Sequence, residues 1–388
     1  MKRISLLIAL LLFCLLAGCA RTAADQGGAQ TPPQTEPGAD EAAQTVLEPV
    51  LFDQSSLQLG SVQTDTAGYY VKNQMIWFCP KGDTRFYPLC GKPNCTHADE
   101  TCNAWFENAN GLGCDGTRLY TVSDNPDGTG GWTLFSLAQD GTDRKQELDL
   151  PFPQNPDGSF GGVASFVFDG PRLYYFFERG TDLPLEQQIG VNYVVDVQTH
   201  EIREFGAEFM RSGARVISPK PGGSLLYALC EIPAEDGEYE IWLCQLDPDR
   251  DTVQKLLPAE TISTWTAEDE KLWYVQAGEG FWEYDLSTGE TQCLGNPEPD
   301  LVFDLQAGDL IYGQGKRSED FTAVTLYFFD RDLQAIDQIR LTDGLIARYV
   351  IDDKLWLATS LDPVSAYIDL SKIGQEPVKI IPIQADNP

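Results

Sequence analysis

The residues with the richest chemistry lie close together. Cys79, Cys90, Cys95, Cys102 and Cys114 crowd into one short stretch of a 388-residue chain. At its centre runs Cys90-Gly-Lys-Pro-Asn-Cys95-Thr-His97-Ala-Asp-Glu-Thr-Cys102, and His97 is one of only 2 histidines. Three thiolates and one imidazole are the donor set of a closed, structural zinc site. The spacing C-x4-C-x-H-x4-C differs from the common zinc spacings, and one residue between Cys95 and His97 requires an extended segment. Disulfides are the competing reading if the chain is exported. Cys90 with Cys102 and Cys79 with Cys114 would then pair, leaving Cys95 over. Free thiols are the third reading. Cys230 and Cys244 flank the Glu235-Asp236-Gly237 turn almost symmetrically, which suggests a cross-strand disulfide. A bridge or a metal would have a structural role here. A nucleophilic cysteine is not expected, because no partner base or oxyanion motif accompanies it.

Other chemistry is thin. Asp247-Pro-Asp249-Arg-Asp251 imitates the start of a calcium loop but lacks the glycine at position six and the carboxylate at position twelve. No Gly-x-Ser-x-Gly, phosphate-binding loop or redox Cys-x-x-Cys is present. With only 2 histidines, triad or multi-histidine metal catalysis is not expected. Paired carboxylates of the glycosidase kind stay open, since 59 acidic residues offer many pairs. The net charge of −32 argues against nucleic acid, whose binding rests on Lys and Arg neutralising phosphate. It acts first as solubility and self-repulsion at a crowded surface.

A repeat supplies the elements that must position these residues. An apolar residue followed by Tyr or Trp recurs at Ile76-Trp77, Leu119-Tyr120, Leu173-Tyr174, Leu226-Tyr227, Leu272-Trp273, Ile311-Tyr312 and Leu355-Trp356. The aromatic positions are 43, 54, 53, 46, 39 and 44 residues apart. Short apolar runs precede and follow several copies, separated by turn formers such as Asp115-Gly116, Asp169-Gly170 and Asp352-Asp353. Four short antiparallel strands per unit of this length is the pattern of a propeller blade. The fold class expected is therefore all-β: a β-propeller of seven four-stranded blades over residues 47–388. The recurring aromatic, taken as part of each second strand, should pack between adjacent blades. On this alignment the cysteine segment replaces the turn between the third and fourth strands of the first blade. The long connections between second and third strands, on the opposite face, carry Arg179, Asp182, Lys316 and Arg317. They are the expected ligand-face loops, since cations are scarce in this chain.

The first residues point to export. Lys2 and Arg3 precede an apolar run from Ile4 to Leu16, too short to span a bilayer comfortably but suited to a secretory signal. The run ends in Leu16-Ala17-Gly18-Cys19, which resembles the lipobox of bacterial lipoproteins. The resemblance implies cleavage before Cys19, acylation of its thiol, and anchoring at the extracytoplasmic side of the cell membrane through the lipid bilayer. Residues 1–18 are then a signal peptide. Residues 19–46, rich in Ala, Gln, Pro and Thr, read as a flexible tether whose reach is on the order of 25–30 Å. The folded part resembles, at the level of pattern, the propeller lipoproteins of anaerobic Gram-positive bacteria. The expected role is a non-enzymatic binding or scaffold module for a glycan, peptide or protein. The rival is a carbohydrate-active propeller enzyme using acidic residues near the central channel.

Overall fold

The computed structural model describes residues 60–383, apart from 73, 128–129, 153–161, 180–189, 223–224, 235–236, 269, 277–278, 296–301, 308–309, 319–321, 331–332 and 360–363. The leader, Cys19 and the tether lie outside the described residues. So does the acidic part of the Glu235-Asp236-Gly237 turn. Within them the chain forms seven four-stranded antiparallel sheets. Blade 1 runs Ser61–Pro88, blade 2 Asn110–Asp149, blade 3 Gly162–Phe205 and blade 4 Arg215–Pro258. Blade 5 runs Ile262–Gly295, blade 6 Val302–Leu341 and blade 7 Ile346–Pro382. The innermost strands of blades 1 to 6 contact one another in sequence, and that of blade 1 also meets that of blade 7, while blades 6 and 7 share an apolar core that includes Leu326, Phe328, Leu355 and Leu357. The ring is a closed seven-bladed β-propeller.

The recurring dipeptide has a simple physical cause. Successive side chains of a strand point to opposite faces, and both faces of a blade are covered by neighbours. Leu119 packs into the core shared with blade 1, while Tyr120 packs into the core shared with blade 3. Leu173 and Tyr174, Leu226 and Tyr227, and Leu355 and Trp356 divide between preceding and following interfaces in the same way. Each is nearly or wholly buried.

Blade 1 departs from the expected alignment. Its Ile76-Trp77 lies in the third strand (Met75–Pro80), not the second. The second strand is Ala67–Lys72, where Gly68-Tyr69 takes the place of the dipeptide. Tyr69 faces blade 2, and Gly68 faces blade 7. A Cβ on Gly68 would lie 1.9 Å from Ile351 Cγ2, so the apolar residue found in the other blades has no room.

Among the described residues no strand is exchanged between blades. The seam between blades 7 and 1 is instead sealed by Tyr70, Cys79, Phe86, Ile351 and Trp356. Phe86 meets the rings of Tyr70 and Trp356 edge-on at 4.8 and 4.6 Å. Gly82 N donates to Asp352 Oδ2 at 2.7 Å, and Asp352 N donates to Gln63 Oε1 at 3.2 Å.

Many of the acidic residues serve turns. After the third strand, Asp140, Asp196, Asp247, Asp285 and Asp369 each accept from backbone N–H groups two or three residues on. Hydrogen bonds from Thr142, Thr199 and Ser287, respectively, hold the carboxyls of Asp140, Asp196 and Asp285 below the usual carboxylate range. A depressed folded-state pKa stabilises above the unfolded value of about 3.9 and is lost as pH falls through the folded value. The melting temperature should therefore be flat above about pH 5 and fall below about pH 4. Combining Asp140→Asn, Asp196→Asn and Asp285→Asn should give a shallower acid limb in calorimetric scans. The seam makes a second prediction. Gly68→Ala should destabilise by about 1–3 kcal/mol through overpacking, and Ile351→Ala in the same chain should recover part of that loss in denaturant titrations.

Candidate metal centre

The cysteine segment is not the turn between the third and fourth strands of blade 1. That turn is Lys81–Phe86, and the fourth strand proper is only Tyr87–Pro88, paired with Phe78 and Trp77. Leu89 N then donates to Ile76 O at 2.9 Å, after which the chain leaves the sheet. It returns to the same edge when Ile76 N donates to Ala104 O at 2.9 Å and Phe106 N to Gln74 O at 2.7 Å. Residues 90–103 are thus an excursion out of an interrupted fourth strand. Cys90 stands at its exit and Cys102 at its return, while Cys95 and His97 lie between them.

The four side chains converge. The sulfurs of Cys90, Cys95 and Cys102 and a ring nitrogen of His97 all lie within 4.8 Å of one another. His97 Nδ1 is 3.4 Å from Cys102 Sγ. Zinc–sulfur and zinc–nitrogen bonds of about 2.3 and 2.0 Å, set tetrahedrally, put ligand atoms about 3.5–3.8 Å apart. The tight Cys95–His97 spacing is accommodated by backbone in the left-handed region, at φ 59° for Asn94 and 54° for His97. All three thiols are free.

The surroundings favour anionic sulfur at one end of the site. Burial works against ionisation of Cys90, but amides of Lys92 and Asn103 and the neighbouring Cys102 and Cys95 bring its pKa below the ordinary thiol value. Cys102 is 1% exposed, and burial, with Cys90 and Cys95 beside it, pushes it up to about 12 despite the Ala104 amide. Three thiolates around a dication leave a net negative charge. Arg144, from the blade 2 turn, stands beside it: Nη1 donates to Cys102 O at 3.1 Å and to Trp105 O at 2.8 Å. Its guanidinium lies 4.1 Å from the Phe106 ring centroid and 5.2 Å from that of Phe135. Burial pulls Arg144 below its usual value, while the charges of Cys102 and Glu100 oppose that shift.

The excursion rests on the turn between the third and fourth strands of blade 2. Asn103 Nδ2 donates to Gly141 O at 2.9 Å. A Cβ on Gly141, whose φ is +78°, would lie 2.5 Å from Leu89 O. Arg144 and Gly141 were not singled out by the sequence, although the Asp140-Gly141-Thr142 turn was visible in it.

The other expected cysteine pairs are placed differently by the fold. Cys79 packs at the seam between blades 7 and 1, whereas Cys114 borders the core between blades 1 and 2. Blade 1 separates them. Cys230 is opposite Trp242, and Cys244 is opposite Ala228, so the two are diagonal neighbours. The two side chains nevertheless meet, and Cys244 beside it, together with burial, raises the pKa of the Cys230 thiol. Both are fully buried free thiols between blades 3 and 4. His200 sits on an exposed turn, 3.4 Å from Glu147.

Arg179 is the last residue of the second strand of blade 3 (Arg172–Arg179). Lys316 and Arg317 end that of blade 6 (Leu310–Arg317). Strand alternation puts these backbone positions at the same end of the ring, away from the blade 2 turn that carries the cysteine excursion. Asp182 lies outside the described residues.

No family model matches the chain, and no curated protein matches it. Among solved structures, a prolyl endopeptidase aligns over 84% of this chain and 51% of its own length, at 10% identity and TM-score 0.55. PorZ, a surface component of the type-IX secretion system of Porphyromonas gingivalis, aligns over 89% and 40%, at 13% identity and TM-score 0.48. The β-propeller domain of the Trilobed protease from Pyrococcus furiosus aligns over 85% and 99%, at 12% identity and TM-score 0.49. The chain therefore spans about half or less of the first two proteins. At such identities the likeness is one of fold.

If the four side chains hold a metal ion, Cys102→Ser should remove it, read by elemental analysis. Arg144→Ala should keep the four ligands yet lower stability by about 2 kcal/mol through lost carbonyl and ring contacts. Paired denaturant titrations of wild type and variant, with and without chelator, check this.

Proposed function

We propose that this chain is a lipid-anchored extracytoplasmic lipoprotein whose propeller is a binding or scaffold module, and that a structural zinc ion completes its first blade. The observation that carries the metal reading is the convergence of Cys90, Cys95, His97 and Cys102 on one point, with donor spacings that suit a tetrahedral ion. Four protein ligands leave no open position for substrate or activated water, so the ion is structural. It would close an excursion that has little packed core of its own, and its charge would be balanced by Arg144. His97 is spent on this centre and His200 on a surface turn, which favours a binding role over histidine-dependent catalysis.

The anchor reading rests on the Leu16-Ala17-Gly18-Cys19 motif. Among the described residues no helix is long and apolar enough to cross a membrane. Attachment through acylated Cys19 would present the ring to glycans, peptides or proteins outside the cell. Among the described residues no particular carboxylate pair favours the carbohydrate-active alternative.

Two measurements test the proposal. The purified chain should contain one zinc per molecule, and a thiol reagent should titrate three more cysteines after chelation than before. Metal-free protein with a Cys90–Cys102 or Cys90–Cys95 disulfide would overturn the metal reading. Cells fed a palmitate analogue should label the wild-type chain and not Cys19→Ala. Equal labelling of both would overturn the anchor.

A further inference from the structure

The innermost strands share an irregularity outside the metal centre. In blades 2, 4, 5, 6 and 7 the pairing of first and second strands slips, so that the inner strand carries an extra residue. Such bulges re-aim side chains and gather beside functional sites. The slip includes Ser218 in blade 4, Ser263 in blade 5, Asp304 in blade 6 and Arg348 in blade 7. Most lie in the leading half of their strands, at the end of the ring where second strands run into third strands. Four consecutive blades thus place a polar or charged residue at this level of the innermost strand.

Arg348 stands apart from the other half-buried arginines. Arg118, Arg172, Arg203 and Arg215 each pair with a carboxylate. Arg144 holds two carbonyls and two rings. Among the described residues Arg348 has one carbonyl, Thr359 O, at 3.3 Å from Nη2, and its buried Nε has no partner. Burial lowers its pKa, and only the neighbouring Tyr349 opposes that shift. In a chain with 59 acidic residues and 27 basic ones, a half-buried guanidinium without a carboxylate partner among the described residues is conspicuous. A desolvated charge without a counter-charge is costly, and that cost is offset when an anion arrives.

We propose that Arg348 anchors a ligand site at this mouth of the central channel, and that the ligand presents a carboxylate. This deepens the binding role proposed above by naming a site and a ligand class. A carboxylate matches the guanidinium fork, offering two coplanar acceptors to its two terminal nitrogens. The strongly negative chain disfavours a dianion such as phosphate, and a polyanion still more.

The test titrates the full chain with sodium glucuronate, glucose and inorganic phosphate at matched ionic strength, reading the melting temperature. Glucuronate should raise it in a saturable way, while glucose should not and phosphate should do so less. Arg348→Met should weaken glucuronate about tenfold or more, as expected for lost charged hydrogen bonds, with Arg348→Lys in between. Glucuronate acting no more than the salt blank on the wild type, phosphate acting at least as strongly, or a folded Arg348→Met chain binding as well as wild type would each overturn the proposal. Should Arg348→Met fail to fold, the wild-type comparison decides alone. A blank would leave the anchor and the zinc centre untouched, since palmitate labelling and metal content report on those separately.

Discussion

Every blade of this ring has two faces to cover and no strand to lend. A strand turns successive side chains to opposite sides, so an apolar residue followed by an aromatic one fills two interfaces at once. Leu173 and Tyr174 do this for blade 3, and Leu355 and Trp356 for blade 7. Because the sheets exchange no strands, these wedges and the side chains around them hold the ring together. The seam between blades 7 and 1 is no exception. It is closed by rings, one tight glycine contact and a few hydrogen bonds.

Blade 1 bears the consequences. Its first strand is Ser61–Gln63 and its fourth only Tyr87–Pro88. The remainder of its outer edge is supplied by Ala104–Phe106, after the cysteine excursion. In the zinc reading, four side chains hold the neck of that excursion, and the blade 2 turn supports it from below through Arg144, Gly141 and Asn103. The metal would therefore complete a blade edge and also tie it to the next blade. In the proposed reading the opposite end of the ring, where Arg348 lies, would be left for ligands, and structural and recognition demands would fall on different faces.

Much of the architecture was legible because burial on both faces imposes a pattern that survives in single residues. The second strands of six blades announced themselves by an apolar–aromatic pair. Blade 1 breaks the pattern because Ile351 occupies the space of the expected apolar side chain, leaving Gly68, while Ile76-Trp77 in the third strand imitates the missing pair and shifts the alignment by one strand. That shift carried the cysteine loop into the wrong connection. The donor set itself could be read, since thiols and imidazole are rare here. Its convergence could not, because it depends on left-handed backbone at Asn94 and His97. The Cys230 and Cys244 thiols looked opposed across a symmetric turn, but the strand register sets them one diagonal step apart. Arg348 gave no signal, because a bulge is a property of pairing between two strands.

The seam also implies an order of events as the chain folds. Gln63 and Asp352 are 289 residues apart in sequence, and Gly82 and Asp352 are 270 apart. Loop closure over such distances has an entropic cost and is reached slowly. Blade 1 emerges first from the ribosome, yet one of its faces stays uncovered until blade 7 exists. The neighbours it needs early are local: the Cys90–Cys102 excursion and the turn of blade 2. A centre assembled from residues so near in sequence can form while the other half of the ring is unmade. It would give the founding blade a finished outer edge during the interval in which its inner seam is still open.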